Sequence, residues 1–430
     1  MADLRPFRAL SFNPAAVGNY ANVLCPPYDV ISPEMQDSLY KVSQFNMIRL
    51  EKGKTYANDD KQNNSYSRAS KTLSEWIENN VLIRDKVPAF YLIQHRFHSG
   101  NSIKSSLGLM AGLQLEDYEN KIVLPHEFTQ KKAKTDRFSL MEHCHSNFSH
   151  IMLLYRDTEK RIVPVLNSLS SNPPDLSLSD NSQNTYSLWR INDGATIQAI
   201  QEAMKCKRLY IADGHHRYET ALNYKSKYGV GCGPNHPLNF TMAYLVEFDD
   251  PGFSVLPYHR VIKGLNESQL NAIRNKVQAL FQIEAPADGD DVHPTSLVKE
   301  IVKRGATQPV LGLFDNNASP RILTLKPGSV PRNKGPIAKF ETWLLEKLIL
   351  EDVLGDTVDA HVTWLHNEVE AIDLVKSGQY QIAFLLNAIS MELFEEIVDH
   401  GERLPRKSTF FAPKLPTGLT INLLNETTKT

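Results

Sequence analysis

The residues with the greatest capacity for chemistry form one short run, Asp213-Gly214-His215-His216-Arg217. An apolar, strand-like segment at 209–212 precedes this run, and a helical pattern follows it to residue 228. Glycine lets the backbone approach a ligand closely, and the first N–H groups of a helix have no partner within the helix. These donors and the positive end of the helix dipole suit an anion, while Arg217 adds a planar fork and the histidines add donors or proton transfer. We therefore predict a site for a phosphate-like anion; the alternative is a helix start with an Asp cap and two surface histidines.

Two carboxylates elsewhere in the chain could act on an acceptor group. Asp29 follows the rigid turn Pro26-Pro27-Tyr28, where it either belongs to the site or caps a helix that begins near Ser32. Glu127 follows His126, and this pair suits general acid–base catalysis or could supply one metal ligand. Surface polar residues at a strand end would show the same pattern, so both interpretations remain open.

Further cations and hydroxyl groups could hold the rest of a nucleotide. Lys134 and Arg137 lie in a basic run from 130 to 137, which otherwise would be a solvated face. Lys407, Ser408 and Thr409 lie near the C-terminus without the GxxxxGK[ST] pattern of a P-loop. Prolines at 405, 413 and 416 indicate an ordered extended segment that could return to complete the site, whereas the alternative is an exposed tail.

The overall charge argues against binding of nucleic acid by bulk electrostatics, because 47 Lys and Arg face 49 Asp and Glu for a net charge of -2. No stretch reaches the roughly 18 apolar residues of a membrane helix, and the N-terminus lacks the apolar core of a secretory signal. The four cysteines are widely spaced, as is usual in a reducing compartment. We therefore expect a cytoplasmic protein without a membrane or nucleic-acid partner.

Hydrophobic periodicity predicts a mixed α/β (α+β) fold with more than one domain. Helices are predicted at 65–80, 193–204, 218–228, 267–281, 296–304, 340–354 and 391–400, and strands at 89–93, 107–115, 151–155, 209–212, 240–248, 310–314, 322–325 and 382–386. The predicted divisions are an N-terminal α/β domain (1–166), a Ser/Asn/Pro-rich linker or surface loop (167–187), a core segment (188–265), a C-terminal α/β region (266–400) and a C-terminal segment (401–430).

Short strings along nearly the whole chain resemble one uncharacterised family, domain of unknown function 1015. They include Arg5-Pro6-Phe7-Arg8, Pro26-Pro27-Tyr28-Asp29-Val30-Ile31, Asn46-Met47-Ile48-Arg49-Leu50, Leu124-Pro125-His126-Glu127, the run 213–217, Leu256-Pro257-Tyr258-His259-Arg260 and the segment 407–415. Tyr258 and Leu404 depart from the family pattern, but both lie outside the run 213–217. That run is also similar to the phosphate-binding box of the ParB/sulfiredoxin-like superfamily, which includes the free serine kinases. This resemblance implies a ParB/sulfiredoxin-like core around 207–228.

The resemblance to the free serine kinases implies a phosphotransferase that acts on a small hydroxy metabolite such as serine, or a nucleotide hydrolase. In that scheme the run 213–217 binds the transferring phosphate, and Arg49, Lys134, Arg137 and the segment 407–409 add charge or hydroxyl groups. Glu127 or Asp29 orients or deprotonates the acceptor, with His126 and His216 as further catalytic candidates, and Mg²⁺ bridges the phosphates of the nucleotide.

The sequence leaves two rival functions open. One is a nucleotide-responsive switch that binds a nucleotide without metabolic turnover. The other is a metal-dependent hydrolase that uses His126, His215 and His216, although we assign no metal site in the leading scheme. The identity of the nucleotide and acceptor and the oligomeric state do not follow from the sequence.

Overall fold

The computed structural model describes residues 1–99, 102–180, 182–287, 289, 293–315, 318–330 and 333–425. The chain forms two compact units. The first contains Met1–Ser254 together with the segment from Pro413 onward, and the second contains Val255–Ala412. The C-terminal segment therefore returns to the unit that contains the N-terminus.

The α-helices of the described chain are α1 (Pro14–Val17), α2 (Pro33–Val42), α3 (Ile48–Glu51), α4 (Ser65–Glu78), α5 (Lys131–Cys144), α6 (Val163–Ser170), α7 (Gly194–Met204), α8 (His215–Tyr228), α9 (Glu267–Leu280), α10 (Pro294–Gly305), α11 (Glu341–Leu345), α12 (Glu351–Leu354), α13 (Val358–His361), α14 (Glu368–Lys376) and α15 (Met391–Asp399). A π-helical segment, Glu346–Leu350, joins α11 to α12. Within the described residues, no helix combines the length and the apolar character needed to cross a bilayer.

The strands are β1 (Leu4–Arg5), β2 (Leu10–Phe12), β3 (Leu82–Arg84), β4 (Phe90–Ser99), β5 (Ser102–Gln114), β6 (Val123–Leu124), β7 (Ser146–Asn147), β8 (Ile151–Tyr155), β9 (Leu176–Ser179), β10 (Thr185–Ile191), β11 (Leu209–Asp213), β12 (Phe240–Glu247), β13 (Ser254–Leu256), β14 (His259–Ile262), β15 (Phe281–Glu284), β16 (Val310–Asp315), β17 (Ala318–Leu325), β18 (Val362–Leu365), β19 (Ile382–Leu385), β20 (Phe410–Ala412) and β21 (Asn422–Leu423). The structure thereby confirms the predicted α/β class.

A mixed nine-stranded sheet organises the first unit, in the order β6-β11-β8-β12-β5-β4-β10-β9 with β1 added on β5. Strands β8 and β12 are parallel to each other, whereas β11 runs antiparallel to β8. Helices α6, α7 and α8 contribute Leu166, Ile200 and Tyr218 to a hydrophobic cluster that includes Ile151 and Leu245 of the sheet. Burying these apolar side chains is the main source of stability for such a layered unit.

The register of this sheet decides where the candidate site lies. Asp213 at the end of β11 is paired with Met152 near the start of β8. The residue before β8 is His150, which is buried. The turn that follows β11 and the chain that enters β8 therefore meet at the same edge of the sheet.

The second unit contains a six-stranded antiparallel sheet in the order β15-β17-β16-β19-β14-β18. Neighbouring residues of its strands join different hydrophobic clusters: Ile262 and Leu311 lie in one, and Val261 and Val310 lie in the other. This alternation follows from the two-residue period of a strand. Helices cover both faces, since α9 packs in the first cluster and α10 in the second.

Two details of the sequence-based organisation differ from the structure. The segment 167–187, predicted as a linker or surface loop, lies inside the first unit, where it includes the end of α6, all of β9 and the start of β10. Among the described strands, β9 pairs with β10 alone at the sheet edge, so it needs few apolar residues and looks like a loop in the sequence. The cap of α2 is Ser32, whose hydroxyl accepts from the Met35 N–H, and not Asp29, which lies in a 3₁₀ turn at Tyr28–Val30.

We predict that Gly108→Ala lowers the free energy of unfolding by about 1–3 kcal/mol, the usual cost of overpacking. A Cβ at Gly108 would lie 2.5 Å from the ring of Tyr244, which is buried and cannot move aside. The matched control is Gly194→Ala at the start of α7, where a Cβ meets nothing within 4 Å. Urea unfolding of both variants measures the difference; equal stabilities would mean that Tyr244 does not fill the space beside β5.

Candidate functional site

The turn from β11 into α8 has the geometry that the sequence predicted. Gly214 adopts a φ of +96°, a left-handed conformation that side chains disfavour. A Cβ at this position would also lie 3.1 Å from the Arg217 guanidinium. The N-cap residue of α8 is Gly214, which has no side chain that could accept from the first turn of the helix. The first turn of a 14-residue helix is thus left to other acceptors, as in anion-binding helices.

Asp213 is the centre of a buried ion cluster. One carboxylate oxygen accepts from Arg217 Nη2, and the other accepts from Lys414 Nζ at 2.5 Å. Burial opposes the charge of Asp213, but Lys414 and Arg217 outweigh it and hold the pKa of this carboxyl well below its usual range. Lys414 also lies 3.5 Å from Asp29, which places the Asp29 carboxylate beside the turn.

The guanidinium of Arg217 is hydrogen-bonded to other groups of the protein and is not left open for a ligand. Its Nη1 donates to the His150 carbonyl oxygen and its Nη2 to Asp213. Its side chain is 10% exposed, and its Nε has no hydrogen-bond partner among the described residues. The prediction that Arg217 offers two donors to a phosphate therefore differs from this structure, because the guanidinium already holds the turn in place.

The two histidines of the run serve as acceptors. The His126 N–H donates to His215 Nε2 at 3.1 Å, and the Gln130 N–H donates to His216 Nε2 at 2.9 Å. Both bonds fasten the 126–130 loop onto the start of α8. In the neutral tautomer that these bonds require, His216 carries its proton on Nδ1, and that nitrogen has no hydrogen-bond partner among the described residues. Burial lowers the pKa of His216, with a smaller opposing effect from Glu219, which favours this neutral form.

The 126–130 loop brings a carboxylate and a histidine to the same place. His126 Nδ1 donates to the Ile211 carbonyl oxygen at 2.6 Å, which leaves Nε2 as the basic nitrogen. That nitrogen lies 3.9 Å from the Glu127 carboxylate. His126, Glu127 and His215 form a group whose possible ligand atoms lie within 4.8 Å of one another. The predicted pair is thus beside the turn.

The predicted basic residues are already paired with protein groups. Lys134 donates to Glu219 at 2.8 Å. Arg137 contacts Glu51 and Asp136, and it stacks on the Tyr28 ring with its guanidinium carbon 4.1 Å from the centroid. Arg137 is therefore a buried structural cation that fixes Tyr28, and Lys134 is the more accessible of the two.

Arg49 and the segment 407–409 occupy different surroundings. Arg49 donates to the carbonyl oxygens of Tyr40 and Gln44 and stacks on the Tyr40 ring, so it stabilises its own loop. Lys407, Ser408 and Thr409 belong to the second unit, whereas the site described above lies in the first. The returning C-terminal segment does reach the site, but through Lys414.

A small cavity lies beside Arg217. Its volume is about 40 Å³, enough for about two or three water molecules. Glu51, Arg137, Asn147 and Thr220 are among its lining residues. The Thr220 hydroxyl and Arg217 Nε have no hydrogen-bond partner among the described residues, so both can bind such water.

Two residues at the site, His150 and Glu51, were not among the predicted site residues, and Lys414 was predicted only as part of the C-terminal segment that could complete the site. Lys414 lies in the segment 407–415, which resembles the family pattern, so that segment was the available signal for it. Glu51 follows such a string directly and accepts from Ser149 at 2.9 Å and from Arg137. Nothing in residue spacing indicates that these partners meet, because each contact joins distant parts of the chain.

Comparisons with known proteins identify a family without an assigned activity. A family model described as "Protein of unknown function (DUF1015)" matches residues 4–342. No curated protein matches the chain. Neither comparison assigns an activity, so the activity must be inferred from the chain's own residues.

Several solved structures are similar to the chain. One is a mutant free serine kinase in complex with AMP (13% identity, TM-score 0.39, covering 74% of this chain and 91% of that chain). Another is a conserved hypothetical protein from Pyrococcus furiosus (13%, 0.37, 74% and 95%). A third is SbnI with a C-terminal truncation from Staphylococcus aureus (11%, 0.39, 74% and 90%).

We predict that His150 makes the stability fall with acid. Burial, aided by Arg217, lowers the pKa of His150 to about 3, so the folded state binds a proton more weakly than the unfolded state does. The stability from this group is present above the unfolded pKa of about 6.5 and is lost as the pH falls toward 3, which amounts to about 2 kcal/mol at pH 5. Urea unfolding at pH 7 and pH 5 should show a smaller loss for His150→Phe than for wild type. The control His98→Gln alters an exposed histidine and should leave the loss unchanged; an unchanged loss in His150→Phe would contradict the assignment.

Proposed function

This chain belongs to the family described as protein of unknown function DUF1015, and from its own site we propose that it binds a nucleotide or phosphorylated small molecule and transfers phosphate to a small hydroxy metabolite. Serine is the first acceptor to test, and nucleotide hydrolysis is the same chemistry with water as the acceptor. The observation that supports this proposal most is the N-terminus of α8 behind Gly214, a cap residue without a side chain, with Lys414 at its side. An anion is the ligand that such a helix start favours.

Phosphate binding in this proposal uses donors of three kinds. The backbone N–H groups of the first turn of α8 point toward the anion. His216 adds its Nδ1–H, and Lys414 adds a positive charge that it now shares between Asp213 and Asp29. Arg217 is a positioning residue, since it holds Asp213 and the His150 carbonyl and thereby the shape of the turn. This arrangement neutralises and orients a phosphoryl group, which is most of what phosphoryl transfer requires.

The acceptor hydroxyl would be oriented and deprotonated by Asp29 or Glu127. Asp29 acts electrostatically on both Arg217 and His216, so its carboxylate lies near the turn. Its side chain is 37% exposed, which leaves it accessible to a substrate. Glu127 lies on the other flank beside the basic nitrogen of His126. Either carboxylate can take the proton of a hydroxyl group within hydrogen-bond reach.

Magnesium suits this set of residues as the partner of a nucleotide. Mg²⁺ is commonly held by one or two carboxylates, several waters and the phosphates of the substrate. Asp213 does not fit this role, because its two oxygens contact Arg217 and Lys414. Asp29 and Glu127 fit it better as partly exposed carboxylates. The ion would supply charge neutralisation of the phosphates.

A metal-dependent hydrolase is the second candidate, and the group His126, Glu127 and His215 is the observation that favours it. The arrangement differs from the three-histidine set expected from sequence, since His216 Nε2 accepts from the Gln130 N–H. His215 Nε2 is likewise engaged by the His126 N–H. His126 is well prepared as a ligand, because a carbonyl oxygen fixes its tautomer. One equivalent of zinc or manganese in the purified protein, lost in His126→Ala, would support this candidate.

We predict that Lys414→Ala weakens binding of ADP or inorganic phosphate by about 10-fold, the value of one charge-assisted hydrogen bond. Asp213 keeps Arg217 as its partner in this variant, so the turn should persist. Isothermal titration measures the affinities. The control Lys131→Ala removes an exposed lysine at the start of α5 and should bind like wild type. Equal affinity of Lys414→Ala and wild type would place the phosphate elsewhere.

We predict that neutralising the base removes turnover and spares binding. Loss of a general base costs about 10²–10⁴-fold in rate, whereas the phosphate donors at α8 remain. The assay is nucleotide consumption with Mg²⁺, with and without serine, for wild type, Asp29→Asn and Glu127→Gln. Glu34→Gln, an exposed acid on α2, is the matched control.

The outcomes of that assay separate the candidate functions. Serine-dependent consumption that is lost in one variant identifies the base and supports transfer. Slow consumption that no hydroxy amino acid accelerates would reject the kinase and favour hydrolysis. Tight nucleotide binding without consumption would identify a nucleotide-responsive switch.

A further inference from the structure

A row of three polar side chains and one leucine crosses four strands at the other end of β8. Tyr155 of β8 is paired with Glu247 of β12, and Leu107 of β5 is paired with Gln94 of β4. Because Val246 is paired with Gly108, Glu247 lies next to Leu107 and the row is continuous. Paired residues of neighbouring strands point to the same face of a sheet, so these side chains lie side by side.

This row forms one wall of a cavity of about 300 Å³, within the size range of small-ligand sites. The other walls come from helix α6, which adds Val163, Leu166 and Asn167, and from the 249–251 turn. That turn is firmly held, because the Asp250 carboxylate accepts from the Leu107 and Gly252 N–H groups at 2.9 Å each. The cavity is therefore preformed.

The cavity is negatively charged and partly desolvated. Glu247 and Asp250 both line it, and neither forms an ion pair with any described residue. Burial raises the pKa of both carboxyl groups and outweighs the hydrogen bonds and, for Glu247, the Arg156 charge that act in the opposite direction. Arg156 forms an ion pair with Asp249 at 3.3 Å and offsets the charge of Glu247 only in part. A positively charged ligand would relieve this imbalance.

A second feature, independent of the acids, also indicates a ligand. Tyr155 is 1% exposed and lines the cavity, yet its hydroxyl has no hydrogen-bond partner among the described residues. The side-chain amides of Gln94 and Asn167 also lack partners in that part of the chain. Buried hydroxyl groups normally find partners, so an unpartnered one beside a cavity points to a bound group or water.

We propose that this cavity binds a small organic cation, an aliphatic amine or guanidine, whose charged group lies between Glu247 and Asp250 and bonds to the Tyr155 hydroxyl. The apolar wall of Leu107, Leu166 and Pro251 takes the hydrocarbon part of the ligand. A metal ion fits less well: the only group of three close His, Cys, Asp or Glu ligands within the described residues is the one at His126.

This site is separate from the phosphate site. His150 precedes β8 and Tyr155 ends it, which at about 3.3 Å per residue places the two positions about 16 Å apart. One small ligand cannot span both sites. The cation site therefore does not depend on the proposed phosphate binding, and each can fail without the other.

Isothermal titration with 1,4-diaminobutane and with agmatine at constant ionic strength tests the proposal. Both amines should bind with 1:1 stoichiometry, and the neutral analogue 1,4-butanediol should not. Tyr155→Phe and Glu247→Gln should each weaken binding by about 10-fold, the value of a hydrogen bond to a charged group. Glu202→Gln, an exposed acid on α7, and Lys414→Ala at the phosphate site should bind like wild type.

Tyr155→Phe is the decisive variant, because it removes a hydroxyl that has no protein partner and so should not destabilise the free protein. Reduced amine affinity with an unchanged or higher melting temperature supports the site. The proposal is overturned if neither amine binds up to about 10 mM. It is also overturned if 1,4-butanediol binds equally well, or if both Tyr155→Phe and Glu247→Gln retain full affinity.

Discussion

The buried contact of Asp213 with Arg217 and Lys414 is the interaction on which the candidate site depends. It joins the end of β11, the first turn of α8 and the C-terminal segment, and Lys414 lies 201 positions from Asp213 in sequence. Breaking a buried ion pair on one side costs about 3–5 kcal/mol, because the remaining charge stays desolvated. Here Asp213 contacts two cations, so it keeps one charged partner if the other is removed. The turn can therefore keep its shape while Lys414 is shared with a ligand.

Strand β8 lies between two opposite electrostatic environments. At the start of β8, the N-terminus of α8 and Lys414 favour an anion. At its end, Glu247 and Asp250 favour a cation. The mixed sheet makes this possible, because β12 runs parallel to β8 and brings its C-terminal carboxylate to the end of β8, whereas β11 runs antiparallel and ends at the start. A net charge of -2 gives no indication of such local polarity.

Local features of the site could be predicted from sequence, but the contacts between residues that are distant in sequence could not. The glycine turn between an apolar strand and a helix is encoded in adjacent residues, and the structure confirms it at Gly214. The role of Arg217 is different, because its acceptors include the His150 carbonyl, 67 positions away. A guanidinium looks the same in sequence whether it binds a ligand or a backbone oxygen. The segment 167–187, which contains the edge strand β9, has the sequence of a linker or surface loop for a related reason, since its apolar content is low and the pairing of β9 with β10 is not visible locally.

The most direct test of the account is a crystal structure of the protein soaked with tungstate, a heavy-atom analogue of phosphate whose anomalous signal locates it. The account predicts an anomalous peak at the start of α8, with oxygens about 2.7–3.2 Å from the backbone nitrogens of the first turn and with Lys414 turned toward the ion. A peak that occurs only elsewhere, with the turn at Gly214 fully accessible to solvent, would contradict phosphate binding at this helix.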